Sequence, residues 1–175
     1  MNKGLTHVYC GDGKGKTTAA AGLSIRAAGS GMKVVFLQFL KATESGEIEI
    51  LRSLDNITVI RNEKNYGFFN RMTEEDKLAI TKLHNDNLKS AWELVEREHY
   101  DMLVLDEVCA AYNYNLIDRQ LVEKLIKEKR DNLELVLTGR DPAPVFLEYA
   151  DYVSEIKKIK HPYDRKIIAR KGIEY

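Results

Sequence analysis

The chain has 175 residues, with 27 Lys+Arg against 27 Asp+Glu and a formal net charge of +0. That balance excludes a long nucleic-acid track or an acidic tail, since both need charge asymmetry, but it leaves room for a compact charged site. At roughly 150 residues per domain the chain makes one domain, residues 1–175. Size scaling predicts a folded surface of about 8,700 Å², with about 70% of the unfolded surface buried.

Cys10 and Cys109 form no CxxC pair and no metal-ligand cluster, so they read as small buried hydrophobes, with one disulfide left open. The start, Met1 to His7, has no apolar stretch of the signal type, and no run reaches the length of a membrane span. A cytoplasmic protein with no membrane partner is expected.

Leu5 to Cys10 reads as a strand ending at Gly11. Thr17 to Ala28 reads as a helix stopped by Gly29-Ser30-Gly31. Lys33 to Leu40 carries Val34-Val35-Phe36-Leu37, the continuous apolar run of a buried parallel strand. A short helix over Ile48–Leu54 and a short strand over Ile57–Ile60 follow, then a polar and aromatic loop from Asn62 to Met72. Thr73 with Asp76 has the form of a capping box. The helix it starts runs to about Arg97, with Leu78, Leu83, Leu88, Trp92 and Val95 as its apolar face. Met102 to Leu105 is a buried strand ending at Asp106-Glu107. Asp118 caps a helix to about Lys129, and Leu133 to Leu137 is a further strand closed by Thr138-Gly139-Arg140. A short helix over Pro142–Tyr149 and late strands over Tyr152–Ile156 and Lys166–Ala169 complete the chain. Strands alternating with helices imply an α/β fold, a mainly parallel sheet with helices on both faces. Ligands of such sheets bind beyond the carboxyl ends of the strands.

The first strand end reads Gly11-Asp12-Gly13-Lys14-Gly15-Lys16-Thr17-Thr18 and leads into a helix. Glycines let successive amides turn inward, the helix adds its positive end, Lys16 adds a charge, and the Thr17 hydroxyl suits a phosphate-bound magnesium ion. The loop is one residue tighter than the common phosphate-loop spacing, because Cys10 stands where the first glycine is expected. The strand Met102 to Leu105 delivers Asp106 and Glu107 beside that loop, where one acid can hold magnesium. Spacing leaves open which acid touches the metal.

Lesser signals are Lys14 in the loop, Arg26 in the first helix, Arg140 at a strand end, and the aromatics of Tyr66-Gly67-Phe68-Phe69. That aromatic loop suits a flat ligand, a dimer surface or simple packing. Trp92 reads as core, and His84, His99 and His161 have no ligand spacing. On the loop and acidic strand alone, another P-loop ATPase or a phosphotransferase such as a nucleoside kinase fits as well, as does a non-catalytic nucleotide-binding module.

The ordered set of motifs resembles the P-loop class of ATP:corrinoid adenosyltransferases, also called cob(I)alamin or cob(I)yrinic acid a,c-diamide adenosyltransferases. The motifs are Gly11 to Ala20, Gln38-Phe39-Leu40-Lys41, Val104-Leu105-Asp106-Glu107, Leu137-Thr138-Gly139-Arg140, Ala150 to Glu155, Lys160-His161-Pro162-Tyr163 and Ala169 to Tyr175. The resemblance spans almost the whole chain and implies a P-loop NTPase-like, RecA-type fold. It implies transfer of the 5′-deoxyadenosyl group of ATP to a reduced cob(I) corrinoid, with release of triphosphate. It implies that Gly11 to Thr18 and Arg26 bind ATP, that Thr17 with Glu107 or Asp106 holds magnesium, and that Phe68 and Phe69 meet the corrinoid. No side chain is then the nucleophile, since the corrinoid cobalt is. A reductase partner and a homodimer follow from the same resemblance. The chain departs from the family pattern at Asp12 for Asn, Ala42 for Gly and Asn70 for Trp. The N-terminal extension that some members lay over the site is expected to be lacking.

Overall fold

The computed structural model describes residues 3–42 and 45–174. Its strands are β1 (Thr6–Cys10), β2 (Val34–Gln38), β3 (Ile57–Arg61), β4 (Met102–Asp106), β5 (Glu134–Thr138) and β6 (Tyr152–Glu155). They form one sheet in the order β3-β2-β4-β5-β1-β6, and every neighbouring pair is parallel. The helices are α1 (Lys16–Gly29), α2 (Gly46–Arg52), α3 (Glu74–Glu98), α4 (Val108–Asn113), α5 (Arg119–Glu128) and α6 (Pro144–Glu148).

Strand periodicity splits each apolar run between two cores. Val35, Leu37, Leu103, Leu105, Leu135 and Leu137 pack with Leu88 and Val95 of α3 and with Val122 and Leu125 of α5. Val34, Phe36, Met102, Val104 and Val136 pack with Ala20 and Ala27 of α1 and with Ile48 and Leu51 of α2. Both faces of the central strands are therefore dry, which is why those strands read as unbroken apolar runs.

The expected capping box forms. The Thr73 hydroxyl accepts from Asp76 N, and the Asp76 carboxylate accepts from Thr73 N. The buried face of α3 differs from the expected one. It consists of Ile80, His84, Leu88, Ala91 and Val95, whereas Leu78 is exposed and Leu83 and Trp92 are half-buried. A search for large apolar side chains misses this face because a histidine and an alanine belong to it. The expected strand over Lys166–Ala169 does not form. Lys166 adopts φ 61° at the end of a 3₁₀ turn over Pro162–Arg165, and Ile167 N donates to Pro162 O, so the chain closes a turn instead of adding to the sheet. Helix α4 was not expected; it begins directly after Glu107, itself at φ 63°. Both cysteines are buried and unpaired, and burial pushes the Cys109 thiol up to about 12. Among the described residues no helix is long and apolar enough to cross a membrane.

Candidate functional site

β2 and β4 are neighbours whose connections leave in opposite directions, β2 toward β3 and β4 toward β5. Such a reversal opens a crevice at the carboxyl ends of the strands. The phosphate loop after β1 lies at the same edge. Gly11 (φ 101°) and Gly15 (φ 125°) take backbone angles that suit glycine. The loop also leaves no room for a side chain on one flank: a Cβ on Gly11 would stand 2.4 Å from Ile156 O, and one on Gly13 2.7 Å from it. At that contact Gly13 N donates to Ile156 O at 2.8 Å, so the loop is braced by the segment after β6.

Lys16 opens α1 and is buried; its ammonium donates to Gly13 O at 2.8 Å. Burial lowers its pKa, with Glu107 opposing that shift. Asp106 ends β4, fully buried, and its two oxygens are shared out. Oδ1 accepts from the Thr138 hydroxyl at 2.7 Å, and Oδ2 accepts from Gln38 Nε2 at 2.9 Å and from the Thr17 hydroxyl at 3.2 Å. Thr138 in turn accepts from Glu107 N at 2.9 Å, which fixes the turn that aims Glu107 into the crevice. The Lys41 ammonium donates to Thr17 Oγ1 at 3.0 Å and stands 3.4 Å from Glu107 and 3.7 Å from Asp106. Burial alone would lower the Lys41 pKa, but Asp106 and Glu107 outweigh it and hold it above its ordinary value.

Thr18 faces the cavity described below. Asp12 turns its carboxylate to the tail, where it accepts from Lys158 N at 2.9 Å. Lys14 stands 3.4 Å from Glu174, whose carboxyl the Arg170 guanidinium and backbone hold at about 2. Arg26 is exposed on α1; Ala21, Gly22 and Ile25 of that helix line the cavity. Phe68 is 77% exposed, while Phe69 stacks on Tyr114 with ring centroids 4.3 Å apart and planes 6° apart.

These elements surround a cavity of about 1240 Å³, walled by the phosphate loop, Lys41, Glu107 and Arg140 on one side and by Phe68, Phe69, Met72 and Tyr114 on the other. One small-molecule site typically spans about 300–1,000 Å³, so the space is large for a single small ligand. Sequence reasoning missed Gln38, Thr138, Lys41 and Tyr114 as site residues. The first three lie in motifs it had noticed, at strand ends; Tyr114 carried no signal.

His84 supports this edge from below. It is fully buried, its Nδ1 donates to Leu116 O at 2.8 Å, and its Nε2 accepts from Leu40 N at 3.2 Å. Burial lowers its pKa to about 4. A histidine neutral in the fold and near 6.5 when unfolded stabilises fully above 6.5 and loses that contribution as pH falls toward 4. Urea unfolding is expected to show roughly 3 kcal/mol lost across this window. His84→Gln should be less stable at pH 7 and lack most of this slope; an equal slope in the variant would refute the assignment.

The sheet and helices resemble those of a KaiC-like protein, PH0186, from Pyrococcus horikoshii OT3, with a TM-score of 0.58 and 17% identity over 91% of this chain and 75% of that one. At that identity the likeness concerns the fold alone, which is of the P-loop NTPase, RecA type. A corrinoid adenosyltransferase from Sinorhizobium sp. is 33% identical over 99% of this chain and 81% of its own length. The corrinoid adenosyltransferase of Escherichia coli K12 is 33% identical over 99% of this chain and 86% of its own. CobA, the corrinoid adenosyltransferase of Salmonella typhimurium LT2, is 31% identical over the same shares, 99% and 86%. A family model described as ATP:corrinoid adenosyltransferase BtuR/CobO/CobP matches residues 2–175. With the phosphate loop, the acidic strand end and a large cavity at one sheet edge, the chain belongs to the ATP:corrinoid adenosyltransferase family.

Proposed function

We propose that the chain transfers the 5′-deoxyadenosyl group of ATP to the cobalt of a reduced corrinoid and releases inorganic triphosphate. Membership of the adenosyltransferase family carries this reading. In the step, the electron pair of cob(I) attacks the ribose 5′ carbon, the cobalt–carbon bond forms, and the carbon–oxygen bond to triphosphate breaks. The nucleophile belongs to the substrate, so this chain supplies position and charge. Gly11 to Thr18 bind the triphosphate, with the loop amides and the Lys16 ammonium meeting the negative charge that leaves. Arg26 is assigned to the nucleoside, and Phe68 and Phe69 to the corrinoid face.

The donors at the crevice fit a magnesium ion. Thr17 Oγ1, Asp106 and Glu107 are hard oxygen ligands, and Gln38 Oε1 is a buried acceptor with no hydrogen-bond partner among the described residues, suited to a metal-bound water. Bound there, magnesium would neutralise charge on the triphosphate leaving group. A cob(I) substrate needs an electron donor, so a reductase is the proposed partner. A homodimer is proposed as well. Ile159, Tyr163 and Ile168 of the tail are 83%, 75% and 81% exposed.

The test is product analysis under strong reduction. ATP with a cob(I) corrinoid should yield adenosylcorrinoid and triphosphate in equal amounts. Release of phosphate or diphosphate, or ATP breakdown indifferent to corrinoid, would overturn the proposal.

A further inference from the structure

The Lys41 side chain has a fixed root and a half-exposed tip. Leu40, just before it, sits at φ 63°, a backbone angle uncommon for leucine, and is held there by the bond to buried His84. Lys41 N donates to Phe39 O at 2.7 Å, and Phe39 N donates to Asp106 O at 3.0 Å. The side chain itself is 42% exposed. Its ammonium stands within 3.0–3.7 Å of oxygens from Thr17, Asp106 and Glu107. It also takes a lone pair of the Thr17 oxygen, whose proton points to Asp106. A divalent ion ligated by these oxygens would need that same lone pair and the same space.

We propose that Lys41 is a resident cation that keeps a bare divalent ion out of the crevice and moves onto the phosphates of an entering nucleotide. Ion and nucleotide then bind together, and the acids are never left uncompensated. This rests on the reading that the ligand is a nucleotide polyphosphate with its divalent ion. The move costs little, because the Lys41 tip trades carboxylates for phosphate oxygens of the same sign.

The experiment measures manganese(II) binding to the full chain without nucleotide, from the electron paramagnetic resonance of the free ion. Wild type should bind the bare ion weakly. Lys41→Met should tighten binding by at least about tenfold, the scale of removing one unit charge a few ångströms away. Lys41→Arg keeps the charge and should remain weak. Adding Glu107→Gln to Lys41→Met should abolish the gain, which ties the ion to this crevice. In a parallel titration of metal-free ATP, Lys41→Met should bind more weakly than wild type. Equal manganese affinity in wild type and Lys41→Met, or a gain that survives Glu107→Gln, would overturn the proposal. If no variant binds ATP with or without manganese, the nucleotide reading fails, while the manganese comparison still judges the role of Lys41.

Discussion

Lys16→Ala should lower ATP affinity by about a hundredfold, the scale of about 2–3 kcal/mol for charged hydrogen bonds to phosphate, and adenosyl transfer should fall with it. Lys16 is buried, and its ammonium makes one hydrogen bond, to Gly13 O. Its remaining donors are available for a ligand in the cavity that Lys16 lines. Removing a buried, under-partnered charge relieves a desolvation cost in the free protein, so thermal stability without nucleotide should change little. The loss then appears in binding and not in folding. Lys16→Arg should not restore affinity, because the planar guanidinium cannot occupy the narrow turn between Gly13 and Gly15 as a compact ammonium does. Calorimetric titration of ATP, with melting curves of the free proteins, checks both parts. Unchanged affinity in Lys16→Ala would remove Lys16 from the site.

Gly139→Ala should be strongly destabilising. Gly139 sits at φ 145°, and a Cβ there would stand 2.5 Å from Cys109 Cβ and 3.2 Å from Cys109 N. Backbone strain of about 1–3 kcal/mol adds to an overlap cost of about 1–3 kcal/mol. A total near 3 kcal/mol lowers the melting temperature by roughly 6–12 °C in a chain of this size. The clash partner lies in the first turn of α4, whose preceding residue is Glu107, so nucleotide-dependent activity should fall beyond what stability alone explains. Cys109→Gly in the same background removes the overlapping Cβ and should restore part of the stability, leaving the strain at Gly139. A melting temperature unchanged in Gly139→Ala would show that the close packing of α4 on β5 is not needed.

Much of this was legible in the sequence. Three strands, β2, β4 and β5, were readable because both of their faces are dry, so apolar runs such as Val34–Leu37 and Met102–Leu105 stood out from charged surroundings. The phosphate loop was readable because its glycines have no substitute where Ile156 O presses on the backbone. The tail was not. Lys166 to Ala169 contains Ile167 and Ile168 and so looks like a strand, but strand character needs an edge to pair with, and pairing is a property of the whole sheet. The buried face of α3 was misread because His84 is satisfied by partners distant in sequence, Leu40 and Leu116. Lys41 was quoted within a motif and yet not assigned a role, since its meaning depends on the oxygens that three other elements bring to it.

The strand order has a consequence in time. Among the described residues, β1 is flanked in the sheet by β5 and β6, the last two strands in sequence order. A nascent chain therefore presents β1 first, with neither neighbour yet made. β5 begins at Glu134, about 124 residues after β1 ends, and at about 5–20 residues per second the wait is roughly 6 to 25 seconds. During that interval β2, β3 and β4 can assemble with their helices, while the phosphate loop is tethered to an unpaired strand. The phosphate loop leaves the ribosome well before the strands that flank it, and is among the last parts to acquire its shape.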